Sequence, residues 1–229
     1  METLLFISDN LPLILRLTLQ HLGIVASAVG LAILSGIPIG IAISQNERLA
    51  RIVLSVAAIV MTIPSVALFG LMIPPLSLIG QGIGTVPAVV ALFLYSQLPI
   101  IRNTSTAIAN VDPALREAAR GMGMTTAQRL WRVELPLTVP LIMAGIRVAV
   151  VVNIGIAAIA TYIGAGGLGS LISRGISQSD SRQLIAGALI VSAIAVLADY
   201  LLAGLQRWLT PAGLRAAPPP PDAVPQGVA

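Results

Sequence analysis

The side chains of this sequence that could do chemistry are concentrated in one polar interval, residues 112–136, DPALREAARGMGMTTAQRLWRVELP. It carries Asp112, Glu117 and Glu134 with Arg116, Arg120, Arg129 and Arg132, and Arg102 lies just upstream. The chemistry open to these groups is bounded by what the chain lacks. All 13 basic residues are arginine. A P-loop needs a lysine to reach the β- and γ-phosphates, so ATP-driven work would fall to another chain. The absence of cysteine rules out disulfides, thiolate nucleophiles and cysteine-ligated metals. The single histidine, His21, leaves neither a histidine metal cluster nor a histidine-based hydrolytic triad. These residue types point to docking rather than catalysis. No catalytic residue, metal site or enzyme activity is expected.

The elements that must position this interval are apolar. Hydrophobic residues make up 56% of the sequence and charged residues 10%, with a mean hydropathy of +0.95. A soluble domain carries about 25% charged residues. The expected fold class is therefore all-α: a polytopic membrane protein whose apolar runs are transmembrane helices. Five spans are predicted, at residues 20–44, 52–73, 86–101, 137–163 and 184–208. Pro38 is expected to kink the first. Gly36-x-x-x-Gly40 supplies small residues for close helix approach. Pro64 and Ser65 fall near the middle of the second span, and Pro74-Pro75 are expected to end it. Pro87 and Pro99 bound the short third span. Residues 1–19 read as an N-terminal interfacial segment. Without the basic n-region of a cleaved leader, this segment is expected to be retained. Residues 20–209 form the transmembrane domain. Residues 210–229, with Pro218 to Pro221, form a disordered proline-rich tail.

Arginine placement sets the orientation. With five spans, Arg48, Arg51, Arg102, Arg116, Arg120, Arg129, Arg132, Arg207 and Arg215 share one side, against Arg16, Arg174 and Arg182 on the other. The richer side is cytoplasmic, which puts the N-terminus out, the C-terminus in and the polar interval in the cytoplasm.

Local chemistry predicts a helix, a turn and a second helix within that interval. Asp112 is an N-cap, and Pro113 suits the first turn, where its missing N–H would be unpaired anyway. Ala114 to Arg120 favours helix, Gly121 and Gly123 interrupt it, and Thr125 can cap a second short helix, residues 126–133. Ala118 and Ala119 offer a flat face that a partner's groove could approach. Arg116 and Arg120, four residues apart, repel each other unless an acidic partner or anionic lipid compensates.

Glu117-Ala118-Ala119, then Gly123, then Val133-Glu134-Leu135-Pro136 resembles the EAA loop of permease subunits of ABC importers. That pattern is EAA, three residues, Gly, nine residues, an aliphatic residue, one residue and Leu-Pro. Every fixed position matches, Val133 standing where isoleucine is commoner. The resemblance extends over residues 17–209. It implies a coupling helix seated in a groove of a cytoplasmic ATPase, with Glu117, Ala118, Ala119 and Gly123 as docking positions flanked by Arg116 and Arg120. It also implies a pair of permease subunits (two copies, or one with a related second permease), two ATPases that bind the ATP and Mg, and an extracytoplasmic binding protein on the outer loops at 74–85 and 164–183. The environment is lipid, in a bacterial cytoplasmic (inner) membrane, and no nucleic-acid partner is expected.

Three stretches look like the osmoprotectant permeases for glycine betaine, carnitine or choline: residues 62–70 (TIPSVALFG), 91–104 (ALFLYSQLPIIRNT) and 111–115 (VDPAL). Residues 163–169 (IGAGGLG) are shared with methionine permeases and discriminate poorly. Quaternary ammonium groups are held by aromatic cages, and aromatics are 3% of this chain. Specificity should then reside in the binding protein. The spans would supply a low-affinity path with Ser65, Tyr95, Asn153, Tyr162 and Asp199 as candidate lining. Ser65 and Asn153 can equally bond neighbouring backbone, and Tyr95 and Tyr162 can equally be interface anchors. Arg147 is expected to snorkel to the cytoplasmic face, and Asp199 to pair with an arginine of a neighbouring span or subunit. An amino-acid permease, for methionine for example, and a secondary transporter or channel subunit are the alternatives.

Overall fold

The computed structural model describes residues 2–211, so nearly all of the tail predicted at 210–229 lies outside the described residues. The elements are α1 (Glu2–Asp9), α2 (Leu11–Ile43), α3 (Glu47–Thr62), α4 (Ser65–Ser77), α5 (Thr85–Ala109), α6 (Pro113–Gly121), α7 (Thr126–Arg129), a π turn (Leu130–Glu134), α8 (Leu135–Ala157), a 3-10 turn (Ile159–Ile163), α9 (Gly169–Ser177) and α10 (Ser181–Leu209). No strand occurs among the described residues. Four continuous helical stretches are long and apolar enough to cross a membrane, and α3 with α4, bent by 102°, makes a fifth if the pair is counted as one span.

Several boundaries differ from the sequence pattern. The first apolar helix begins at Leu11, with Pro12 in its opening turn, so it takes in half of the predicted lead-in segment. The second span is not ended by Pro74-Pro75, which lie inside α4. It breaks at Ile63-Pro64 instead. Pro64 lacks an N–H and forces the preceding residue out of the helical region; Ile63 accordingly has φ −67° and ψ 126°. Pro99 does not close the third span, because α5 runs through it to Ala109.

Direction follows from the contacts. Gly36 meets Ile100, and Gly40 meets Thr104, so α2 and α5 run parallel. A Cβ on Gly40 would stand 2.6 Å from Thr104 Cβ, so glycine is what lets the two helices approach this closely. The Gly36-x-x-x-Gly40 stripe is thus occupied within the chain. Gly145 on α8 lies against the Pro99 carbonyl, and Asn153 against Leu92, which makes α8 antiparallel to α5. Arg147 faces Asp199 and Pro140 faces Gln206, which makes α10 antiparallel to α8. Since α2 and α5 are parallel, the bent pair α3–α4 must carry the chain back along the length of the bundle.

The core sits where α2, α5 and α8 meet. Ile24, Val25, Ala28, Phe69, Leu92 and Ile154 are buried there, joined by Leu168 and Leu171 from the turn and helix that follow α8. Many other apolar side chains point outward, Leu34 (74% exposed) and Leu197 (58%) among them, as hydrocarbon contact requires.

Candidate functional site

The polar interval folds as its capping residues predict. The Asp112 carboxylate accepts from Ala114 N at 2.8 Å and opens α6. The helix closes with Met122 N and Gly123 N donating to the Ala118 and Arg120 carbonyls, and Gly123 has φ +78°. This left-handed conformation strains any residue with a Cβ. Thr125 then caps α7 in a reciprocal box: its Oγ1 accepts from Gln128 N at 3.2 Å, and its own N donates to Gln128 Oε1 at 2.9 Å. The second helix is shorter than predicted, since residues 130–134 form a π turn. Leu135 N reaches back five residues to Leu130 O. Pro136, which has no N–H to continue an ordinary ladder, follows at once.

The six predicted coupling residues do not share one face. Glu117, Ala118, Arg120 and Gly123 are exposed. Ala119 is buried (1% exposed), so it lets α6 sit on the chain's own body and is not open to a partner. Arg116 also turns inward, its side chain 16% accessible. Its Nη2 donates to the Ile108 carbonyl in the last turn of α5, and its Nε lies 3.4 Å from Glu134 Oε1. Arg129 Nε donates to the same oxygen at 2.7 Å. The repulsion expected between Arg116 and Arg120 is therefore relieved at Arg116 from within the chain. In the sequence Glu134 is one of the interval's charged side chains and the variable position before Leu-Pro, with no assigned partner. Its signal was slight: one acid among arginines, five residues after Arg129.

The candidate path residues are scattered. Ser65 opens α4 at the break, and the buried Tyr95 hydroxyl donates to the Ile63 carbonyl beside it. Asn153 is buried on the other side of α5, where its Nδ2 donates to Leu92 O at 3.1 Å and to Ser96 Oγ at 2.5 Å. Tyr162 is exposed on the 3-10 turn at the opposite end of the bundle from Glu134. Asp199 accepts a bidentate pair from Arg147, Nε to Oδ1 at 2.9 Å and Nη2 to Oδ2 at 2.8 Å. The remaining nitrogen of Arg147 donates to Gln206 Oε1 in the last turn of α10 at 2.9 Å. The pair opens on a groove of 660 Å³ between α8 and α10.

Sequence reasoning also missed the clamp at the far end. Gln20 binds the glycine-rich turn twice, through Nε2 to Ala165 O at 3.0 Å and through Oε1 from Gly167 N at 3.1 Å. The neighbouring His21, fully buried, lies with Nε2 3.0 Å from the Ile154 carbonyl. Adjacent polar residues early in an apolar helix were the available signal. Gly84 N donates to Ile163 O at 2.8 Å, so the two loops predicted to be extracytoplasmic meet.

The family described as binding-protein-dependent transport system inner membrane component matches residues 32–212. The chain belongs to this family. The permease is similar to the osmoprotectant import permease protein OsmW of Salmonella typhimurium, 57% identical over 94% of this chain and 100% of that protein. It is also similar to the choline transport system permease protein OpuBB of Bacillus subtilis, 41% identical over 92% of this chain and 94% of that protein. Among solved structures, the inward-facing MetNI methionine ABC transporter superposes with a TM-score of 0.79 at 23% identity, covering 89% of this permease and 99% of that chain. At that identity the likeness shows the fold alone. The permease is thus an inner-membrane, multi-pass component of an ABC importer, a class that works with an ATPase and a substrate-binding protein.

Proposed function

We propose that this chain is the membrane-spanning subunit of an ATP-driven importer of quaternary ammonium osmoprotectants such as glycine betaine, choline or carnitine. The observation that carries the reading is the complete EAA spacing, opening on the exposed α6, in a chain 57% identical over 94% of its length to an osmoprotectant import permease. The chain holds no ATPase site of its own and is not an enzyme; ATP and Mg are bound by the partner ATPase. A second permease, identical or related, completes the path. The binding protein sits on the joined outer loops at 74–85 and 164–183. Glu117, Ala118 and Arg120 meet the ATPase, and Gly123 shapes the turn that presents them. Of the five aromatic side chains with a polar or indole edge, Tyr95 bonds the carbonyl at the helix break, Trp131 and Tyr162 lie exposed at opposite ends of the bundle, and only Tyr200 and Trp208, both exposed on α10, share an element. This supports leaving selection of the ammonium group to the binding protein.

The test is uptake of labelled choline and glycine betaine by proteoliposomes holding permease, ATPase and binding protein. ATP-dependent accumulation that requires the binding protein is expected. Glu117→Ala and Gly123→Val are expected to lower it about tenfold or more with membrane insertion unchanged. Accumulation driven by an ion gradient without ATPase would overturn the importer reading, and full ATP-driven uptake by both variants would remove α6 from the coupling role.

A further inference from the structure

Glu134 is the only fully buried carboxylate among the described residues, 3% exposed, in a chain with nine acidic residues. Burying a charge is costly unless it is paired. Here one oxygen is shared by two guanidinium groups from different elements. Arg129 closes α7 and holds it at 2.7 Å; Arg116 comes from α6 and stands at 3.4 Å. Through Nη2 to Ile108 O, Arg116 also grips the last turn of α5. Glu134 itself is the final residue of the π turn, and α8 begins at the next residue. A single carboxylate therefore ties the exposed helix, the end of one long span and the start of another.

The two contacts are unequal. The Arg129 contact is a full charge-assisted hydrogen bond by its length. The Arg116 Nε is buried and has no hydrogen-bond partner at its 3.4 Å separation. A buried donor short of its acceptor gains from closing the gap, so the α6 side of the junction is the adjustable one. The π turn beneath it, a local departure from the regular ladder of the kind found at functional sites, allows α8 to follow.

We infer that Glu134 is a positioning residue that transmits displacement of α6 to α8, closing on Arg116 in one state of the cycle and relaxing in the other while Arg129 keeps it in place. The inference rests on the importer reading. Docking to the ATPase then belongs to the exposed face of α6, and transmission to the buried one.

The experiment uses the full transporter, reading ATPase association, ATP hydrolysis and solute uptake together. Glu134→Gln keeps shape and removes the charge. The complex is expected to assemble as before, while solute moved per ATP falls about tenfold, within the usual range of coupling free energies. The double variant Arg116→Gln with Glu134→Gln is expected to fall by less than the two single losses combined, because both changes break the link between these two side chains. If Glu134→Gln fails to insert, Arg116→Gln, which leaves the closer pair intact, is expected to lower the same ratio. A wild-type ratio in the inserted variant, a fall explained by lost ATPase association, or additive losses in the double variant would overturn the inference. Absence of ATP-driven uptake in the wild type would instead overturn the importer reading on its own.

Discussion

Arg147 and Asp199 meet inside stretches that the apolar pattern assigns to the bilayer. A lone charge at the centre of a membrane helix costs about 2.5–3.5 kcal/mol, and two such charges persist here as a bidentate pair. Their side chains are 28% and 42% accessible in the isolated chain. The pair's worth therefore lies between the roughly 0–1 kcal/mol of an exposed pair and the about 3–5 kcal/mol lost when a buried one is broken. Asp199→Asn alone is expected to lower the melting temperature in detergent more than Arg147→Gln and Asp199→Asn together, because the single change strands a guanidinium. Melting of both variants at the wild-type temperature would show that the pair contributes nothing, and an equal fall in both would show that the guanidinium left behind is not stranded. An ionisable residue in an apolar run is legible in a sequence, and Asp199 was expected to find an arginine. Which arginine was not legible: 52 residues separate the partners, and their meeting depends on α8 and α10 packing together. Glu134 shows the reverse failure. Its polarity was plain, but in a charged interval polarity suggests exposure, and only the junction of α6, α7 and α5 buries it.

At the scale of elements, the proline-bearing helices show what a sequence pattern carries and what it omits. The caps of α6 and α7 were readable because they depend on residues within four positions of one another. The effect of a proline was not, because it depends on what lies around the freed groups. Pro74 and Pro75 stay inside α4, near its end, where the carbonyls they leave unpaired belong to the exposed Gly70 and Leu71. Pro64 breaks the chain by 102°, and the Ile63 carbonyl at that break is taken by Tyr95, a side chain 32 residues away. Tyr95, a candidate for the solute path, thus also holds the bend. Tyr95→Phe is expected to cost about 1–2 kcal/mol by stranding this carbonyl, seen as a lower melting temperature and faster proteolysis near residue 63. Unchanged stability together with altered solute uptake would return Tyr95 to the path.

For the whole molecule, the open question is how the bent pair sits in the bilayer, since a 102° break admits either a broken span or a re-entrant loop. The packing argues for a broken span. Gln20 reaches Ala165, and Gly84 reaches Ile163, so the start of α2 and the start of α5 lie at one end of the bundle. Gly40 meets Thr104, and Arg116 reaches Ile108, so the ends of both helices lie at the other, beside the polar interval. Residues 44 to 84 must then travel from the second end back to the first, which a re-entrant loop cannot do. Arginine placement predicts that the end with the polar interval is cytoplasmic. Because the chain has no cysteine of its own, single introduced cysteines report their side without background. In spheroplasts, a membrane-impermeant maleimide is expected to label Gln81→Cys and Gln178→Cys at once, and Gln45→Cys and Ala127→Cys only after permeabilisation. All four positions are exposed. Labelling of Gln45→Cys and Gln81→Cys from the same side would make α3–α4 re-entrant and contradict the parallel packing of α2 and α5. Labelling of Ala127→Cys from outside would invert the molecule, and α6 would then face away from any cytoplasmic ATPase. The outcome expected here, with five crossings and the interval inside, is the one arrangement in which a push on α6 meets Arg116, Glu134 and the root of α8 from the side where ATP is spent.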